Sequence, residues 1–276
     1  MICVDIDGTL VDSEHVLTGR TRRTLRRAAL DCSVSVVPVS ARPPHGIYYL
    51  QDELDLYGPI VAYSGALVLD SDRSALLSET MKVSSALKVV TAAKDLGIHA
   101  SIYMGEEWYI EEEDRWSRQE AEITRTRPEQ VSFDEILPKL LREGLGPHKI
   151  LCMGEPDQIS HLSDRLSDSA GHELSFYGSK PTYLEIMSKG VSKQRAIGLL
   201  CSRMGIESSE VISVGDGYND VDMLVFSGLG VAMGNAPSKV KRAADMVTLT
   251  NDQDGLAVVV EQMVIGSQDR GDEDGG

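Results

Sequence analysis

The chain has 276 residues, 42% of them hydrophobic and 25% charged, enough for one large or two ordinary soluble domains. Its formal net charge of −16 argues against nucleic acid and anionic membranes as partners, because both select basic surfaces. It contains no apolar run of about 18 residues and its amino terminus lacks the features of a secretory signal, so a cytoplasmic protein is expected.

In chain order, Ile2-Cys3-Val4-Asp5-Ile6-Asp7-Gly8-Thr9-Leu10 reads as a buried strand that runs into a turn. Strand side chains alternate, so Asp5 and Asp7 are expected on the same side at the carboxyl end; a divalent cation would let both stay ionised. Thr18 is expected to cap a helix over 19–30, with a solvated basic face from Arg20 to Arg27, and His15 just before it reads as a surface residue. Residues 33–39 form a second strand, followed by Ser40-Ala41-Arg42-Pro43-Pro44, where the prolines can open a helix through Leu54. Ser40 thus falls at a strand's carboxyl end, the edge where α/β sheets bind ligands, and with Arg42 it suits a phosphate oxygen. Short strands over 60–63, 66–69 and 75–77 follow.

From Val83 the count of strands and helices starts afresh: helix 83–96, hairpin 98–110, helices to about 123, 133–141 and 156–166, and strands 149–153, 174–177 and 183–187. Trp108, Tyr109 and Tyr183 are either core residues or substrate contacts. The histidines share no ligand spacing, and Cys3, Cys32, Cys152 and Cys201 read as buried thiols rather than disulfides or metal ligands. The parallel pattern resumes with a helix capped by Ser192, with Lys193 in its first turn and Ala196, Ile197, Leu200 and Met204 inward. A lysine there opposes the helix dipole unless an anion lies nearby. Strand 211–214 runs into Gly215-Asp216-Gly217-Tyr218-Asn219-Asp220 and a helix through Phe226; strands 229–233 and 246–249 and a helix capped by Asn251 or Asp252 complete the pattern. Residues 266–276 are polar and acidic, and disorder is expected there.

Four stations therefore share one setting: Asp5 with Asp7, Ser40, Lys193, and Asp216 with Asn219 and Asp220. In this order they resemble the haloacid dehalogenase superfamily of phosphohydrolases, whose signature is Asp-x-Asp-Gly-Thr, a Ser or Thr after the second strand, an isolated Lys, and Gly-Asp-x-x-Asn-Asp. The resemblance covers nearly the whole chain. The middle block, Val191-Ser192-Lys193 and Gly230-Val231-Ala232-Met233-Gly234-Asn235-Ala236 are similar to the Cof-like branch, which carries a large α/β cap. Ala41 stands where that branch has Gly, and Ser64 where it has Asn; neither change removes a reacting group.

The resemblance implies an α/β fold: a doubly wound, mainly parallel Rossmann-like core, 1–82 and 183–265, with an inserted α/β cap, 83–182. It implies Asp5 as nucleophile and Asp7 as acid and base. Mg²⁺ would be held by Asp5, Asp216 and the backbone carbonyl of Asp7, with Asp220 orienting Lys193 or a metal water. Ser40, Ala41, Arg42, Lys193 and Asn219 would hold phosphate or substrate. The expected activity is phosphatase action on a small phosphomonoester such as a sugar phosphate or other phosphorylated metabolite, with a phosphomutase or phosphotransferase of the same superfamily as the alternative. A receiver-type domain lacks the first motif and the insertion, and a catalytically dead binder would have lost a reacting group.

Overall fold

The computed structural model describes residues 1–266. The acidic tail expected to be disordered lies outside the described residues from 267 onward. Five parallel strands form the first sheet, in the order Met246–Val247, Leu229–Ala232, Ile212–Gly215, Ile2–Val4, Val36–Pro38. Because all run the same way, their carboxyl ends lie along one edge, which collects Asp5, Ser40 and Asp216. Ile2 and Val4 fall in one buried apolar cluster with Leu25, Ile47 and Val259, while Cys3 falls in another with Ile197, Leu200 and Met223. The alternation of the strand thus supplies both faces of the sheet, and helices cover each.

Local chemistry sets the helix starts. Thr18 accepts from the Thr21 amide at 3.2 Å to open helix Gly19–Leu30, and Ser192 accepts from the Arg195 amide at 3.2 Å to open helix Lys193–Met204. Met204, expected inward, is 39% exposed, since it sits on the last turn just before the left-handed Gly205 that stops the helix. Cys3, Cys152 and Cys201 are buried, whereas Cys32 is only half-buried beyond the end of its helix. The last helix differs too: Asn251–Gln253 is a 3₁₀ turn, Asp254 precedes the helix at Gly255, and the segment ends in a π-helical stretch, Glu261–Ile265.

A second, six-stranded sheet runs Leu174–Lys180, Tyr183–Ser188, Lys149–Met153, His99–Met104, Glu107–Ile110, Glu129–Gln130, antiparallel except for its last pair. Tyr183–Ser188 pairs with strands on both sides, so a boundary between 182 and 183 would cut a hairpin. One face of this sheet carries Ile102, Ile150 and Ile186, packed against helices Val83–Asp95, Phe133–Arg142 and Pro156–Ala170. The other face carries Tyr103, Trp108, Leu151 and Tyr183, which join the apolar cluster of the first sheet. Tyr109 lies on the helix-covered face with its hydroxyl on Glu107, so of the three aromatics weighed as substrate contacts only Trp108 and Tyr183 face the first sheet.

A three-stranded antiparallel sheet, Ile60–Ala62, Leu67–Leu69 and Ala75–Ser78, links the two. Its first turn is tightly coiled: Tyr63, Ser64 and Gly65 all have positive φ, with Gly65 at +104°. A Cβ on Gly65 would overlap the Ser192 carbonyl, so this glycine lets the turn press against the start of the Lys193 helix. Gly65→Ala should therefore lower the unfolding free energy by about 2 kcal/mol or more. Gly97→Ala, also at positive φ but with open space around it, should cost only about 1 kcal/mol. Urea unfolding of the two variants measures the difference.

Candidate active site

Asp5 follows the central strand, and its amide donates to the Val214 carbonyl at 3.0 Å, which extends the ladder to the acid itself. Lys193 reaches it from the first turn of its helix. The Nζ donates to Asp5 Oδ1 at 2.6 Å, Asp220 Oδ1 at 2.5 Å and the Val39 carbonyl at 3.0 Å, so all three ammonium protons have acceptors. Burial would depress the Lys193 ammonium, but Asp220 and Asp5 hold it above its ordinary range. The anion that the helix start called for is therefore a pair of carboxylates.

Asp220 Oδ2 accepts from the amides of Asp216 at 2.9 Å and Gly217 at 2.7 Å, so both of its oxygens are occupied. Asp220 thus ties Lys193 to the backbone that carries Asp216. Asp216 accepts from Asn235 Nδ2 at 2.9 Å, and oxygens of Asp5, Asp216 and Asp220 lie within 4.8 Å of one another. Burial and then the Asp220 charge push Asp5 well up and Asp216 up to about 7. Three crowded carboxylates beside one ammonium make a site short of positive charge, and their oxygens suit a hard divalent cation. Gly8, at φ +79°, is what admits Asp216: a Cβ there would overlap its carboxylate.

Asp7 lies outside that carboxylate cluster. Arg42 grips it with Nε to Oδ2 at 2.9 Å and a terminal nitrogen to Oδ1 at 2.7 Å, and His15 Nδ1 stands 3.2 Å from Oδ1. Burial acts to raise Asp7, but the Arg42 hydrogen bonds and the adjacent His15 outweigh it and hold the carboxyl well below its ordinary range. Asp7 is 44% exposed while Arg42 is 3% exposed, with its other terminal nitrogen on the Gly46 carbonyl and the Tyr49 hydroxyl. Arg42, expected on phosphate or substrate, is engaged with Asp7. Ser40 is buried, its Oγ accepting from the Arg42 amide at 3.1 Å. The Ala41 carbonyl accepts from Lys149 Nζ of the second sheet at 2.7 Å. Asn219 Nδ2 points to Ser64 Oγ at 3.5 Å, and both line a cleft of about 580 Å³ with Lys193, Tyr177 and Tyr218.

The sequence reading left several neighbours of the site unassigned. His15, expected at the surface although near where the first loop leaves the site, is turned onto Asp7 by a positive φ of 59°. Asn235 lay within a quoted motif without a role, and it bonds both Asp216 and the Gly8 carbonyl. Lys149, Glu120 and Glu185 carry no motif at all.

The Lys193 contacts give a direct test of the electrostatics. Lys193→Met leaves Asp5 and Asp220 buried without their cation, and should cost about 3–5 kcal/mol of stability in chelator. Urea unfolding of the variant beside the unchanged protein checks this.

Comparison with known proteins gives a consistent result. A family described as haloacid dehalogenase-like hydrolase matches residues 2–260. A Haemophilus influenzae protein named "Putative phosphatase" is 35% identical over 262 residues, covering 94% of this chain and 95% of that protein. The crystal structure of a haloacid dehalogenase-like hydrolase from Bacteroides thetaiotaomicron is 30% identical with a TM-score of 0.85, over 95% of this chain and 98% of that one. TM0651 from Thermotoga maritima is 29% identical with a TM-score of 0.81, over 95% and 96%.

Proposed function

This chain belongs to the haloacid dehalogenase-like hydrolase family, and we propose that it is a Mg²⁺-dependent phosphatase that cleaves a small phosphomonoester through an aspartyl-phosphate on Asp5. The observation that carries this reading is the pair of unlike carboxylates two residues apart. Asp5 is buried against Lys193 and crowded by Asp216 and Asp220, while Asp7 is half open and bonded elsewhere. One is set up as a nucleophile in a dry, electrostatically loaded site, and the other as a group that exchanges protons.

In the first step an Asp5 oxygen forms a bond to phosphorus as the ester P–O bond breaks, and Asp7 gives its proton to the departing alkoxide. In the second, Asp7 takes a proton from water as that water attacks phosphorus, which frees Asp5 and inorganic phosphate. Asp5 and Asp216, with the Asp7 carbonyl, would hold Mg²⁺, which supplies positive charge to the phosphoryl oxygens. Lys193, Ser40 and Asn219 stabilise the remaining charge on those oxygens, and Asp220 keeps Lys193 aimed at Asp5. We take 83–188 as a cap, because strand Tyr183–Ser188 pairs within its sheet, over a core of 1–82 and 189–265. The cap closes the site to water and carries the substrate contacts.

The purified protein should release phosphate from p-nitrophenyl phosphate or from members of a metabolite ester panel with Mg²⁺, and stop with EDTA. Asp5→Asn should reduce turnover to background, because an amide oxygen is a poor nucleophile; substantial turnover in that variant would move the nucleophile elsewhere. Asp7→Asn should slow alkyl esters by roughly 10² to 10⁴. It should slow the first step less for p-nitrophenyl phosphate, whose leaving group needs little protonation. Single-turnover rates for the two ester types compare the losses, and equal losses would remove Asp7 from the acid role.

A further inference from the structure

Between the second sheet and the catalytic loops lies a set of polar side chains that the two reaction steps do not use. Lys149, Glu185, Tyr103 and Trp108 project from neighbouring strands and Glu120 from helix Arg115–Thr124, and none is more than 6% exposed. They are contiguous: Lys149 Nζ stands 3.7 Å from Glu185 Oε2 and 4.9 Å from the centre of the Tyr103 ring, which stacks on Trp108 at 5.5 Å. Lys149 also bonds the Ala41 carbonyl, one residue from the arginine that grips Asp7. The set therefore lies on the leaving-group side, beside the proposed acid.

Buried polar atoms are nearly always hydrogen-bonded. Three polar atoms in this set have no hydrogen-bond partner among the described residues: the Tyr103 hydroxyl, Trp108 Nε1 and Glu185 Oε2, the last of which faces Lys149 only as an ion pair at 3.7 Å. They offer one acceptor, one group that both donates and accepts, and one donor. A ligand hydroxyl can donate to Glu185 while its oxygen accepts from Trp108 or Tyr103. Lys149 hydrogen-bonds the Ala41 carbonyl and stands against the Glu185 carboxylate and the face of Tyr103, so its charge is already balanced by Glu185. What remains toward a ligand is the Glu185 carboxylate, with Glu120 as a second acid beside it, in a dry setting where like charges are poorly screened.

We propose that this nest recognises the substrate's leaving group, selecting neutral, hydroxyl-bearing groups and rejecting those with a second negative charge. The inference rests on the phosphatase reading above and adds the substrate class. It predicts discrimination between esters that differ only at the far end, CH₂OH against carboxylate.

The test uses the full chain with Mg²⁺ and two matched pairs: glycerol 3-phosphate against 3-phosphoglycerate, and sorbitol 6-phosphate against 6-phosphogluconate. The hydroxylated member of each pair should have a kcat/KM at least about tenfold higher. Glu185→Gln should narrow that ratio by lowering KM for the carboxylated member. Trp108→Phe, which keeps the ring and removes the N–H, should raise KM for the hydroxylated member. Equal or better turnover of the carboxylated esters by the unchanged protein would overturn the inference, as would an unaltered ratio in a Glu185→Gln protein with unchanged melting. If Glu185→Gln does not fold, the matched pairs and Trp108→Phe still decide. Turnover with the wrong preference defeats this inference alone, whereas failure to hydrolyse any ester defeats the phosphatase reading with it.

Discussion

The buried ammonium of Lys193 constrains more of this molecule than any other single group. Removing a charge from water costs several kcal/mol, and the cost is offset only if every proton finds an acceptor in good geometry. The three acceptors come from three places: Asp5 after the first strand, Val39 after the second, and Asp220 in the loop after strand Ile212–Gly215. The ammonium thus holds the carboxyl ends of three adjacent parallel strands in register with one helix start. Asp220 extends the constraint by holding the amides of Asp216 and Gly217, which presents Asp216 toward Asp5. The glycine at 65 belongs to the same requirement, since the lysine helix can begin where it does only if the Tyr63–Gly65 turn makes room for Ser192.

A second ion pair, Arg42 with Asp7, serves a different end. Arg42 is buried and, apart from its bonds to Asp7, anchored on the Gly46 carbonyl and the Tyr49 hydroxyl, so it is the fixed partner and the half-open Asp7 is the one that can change company. With Asp7 held ionised by Arg42 and His15, it is in the form suited to accept a proton from water. To give a proton to a leaving group it has to take one up first, and the clamp opposes that. A dianionic phosphoryl group at Asp5 would raise the neighbouring Asp7 by like-charge repulsion, against that clamp. On the proposed mechanism, binding of the ester and readiness of the acid are then coupled through that repulsion.

The sequence was most legible where a single local rule decides the structure. Helix Gly19–Leu30 begins after Thr18 and helix Lys193 after Ser192 as the capping hydroxyls indicate, and strand Lys149–Met153 falls within its apolar run. It was least legible where tertiary packing decides. The end of the chain turns π-helical over Glu261–Ile265, and Met204 is left outside by the stop at Gly205. In the site, the acids, Lys193 and Ser40 could be read because they stand at predicted strand ends or helix starts. His15 and Lys149 could not, since no motif marks either: His15 is turned onto Asp7 by its positive φ, and Lys149 meets Ala41 across 108 positions. The two departures from the Cof-like pattern acquire a physical meaning. Ala41 is not among the residues at positive φ, so the backbone there does not require glycine. Ser64 does sit at φ +53°, where asparagine is better tolerated than serine, and its hydroxyl points to Asn219, a contact a larger amide would alter.

On the proposed cap reading, the contacts between the two main sheets suit a closure that can be undone. Tyr63 donates to the Gly105 carbonyl at 2.8 Å and Tyr48 to Glu106 at 2.8 Å, and Arg125 meets Glu53 at 3.0 Å near the surface. Net values for such bonds are about 1 kcal/mol each, less for the exposed ion pair. Lys149 is the exception, a buried cation of the second sheet seated on the Ala41 carbonyl beside the first sheet. Opening would expose that ammonium and Glu185 to water, which relieves their burial, while it also exposes Tyr103 and Trp108, which costs apolar contact. The two terms oppose each other, so neither the open nor the closed arrangement is favoured by both. A ligand that completes the unpartnered atoms of this face adds its interactions to the closed side alone, and by that differential it shifts the balance toward closure.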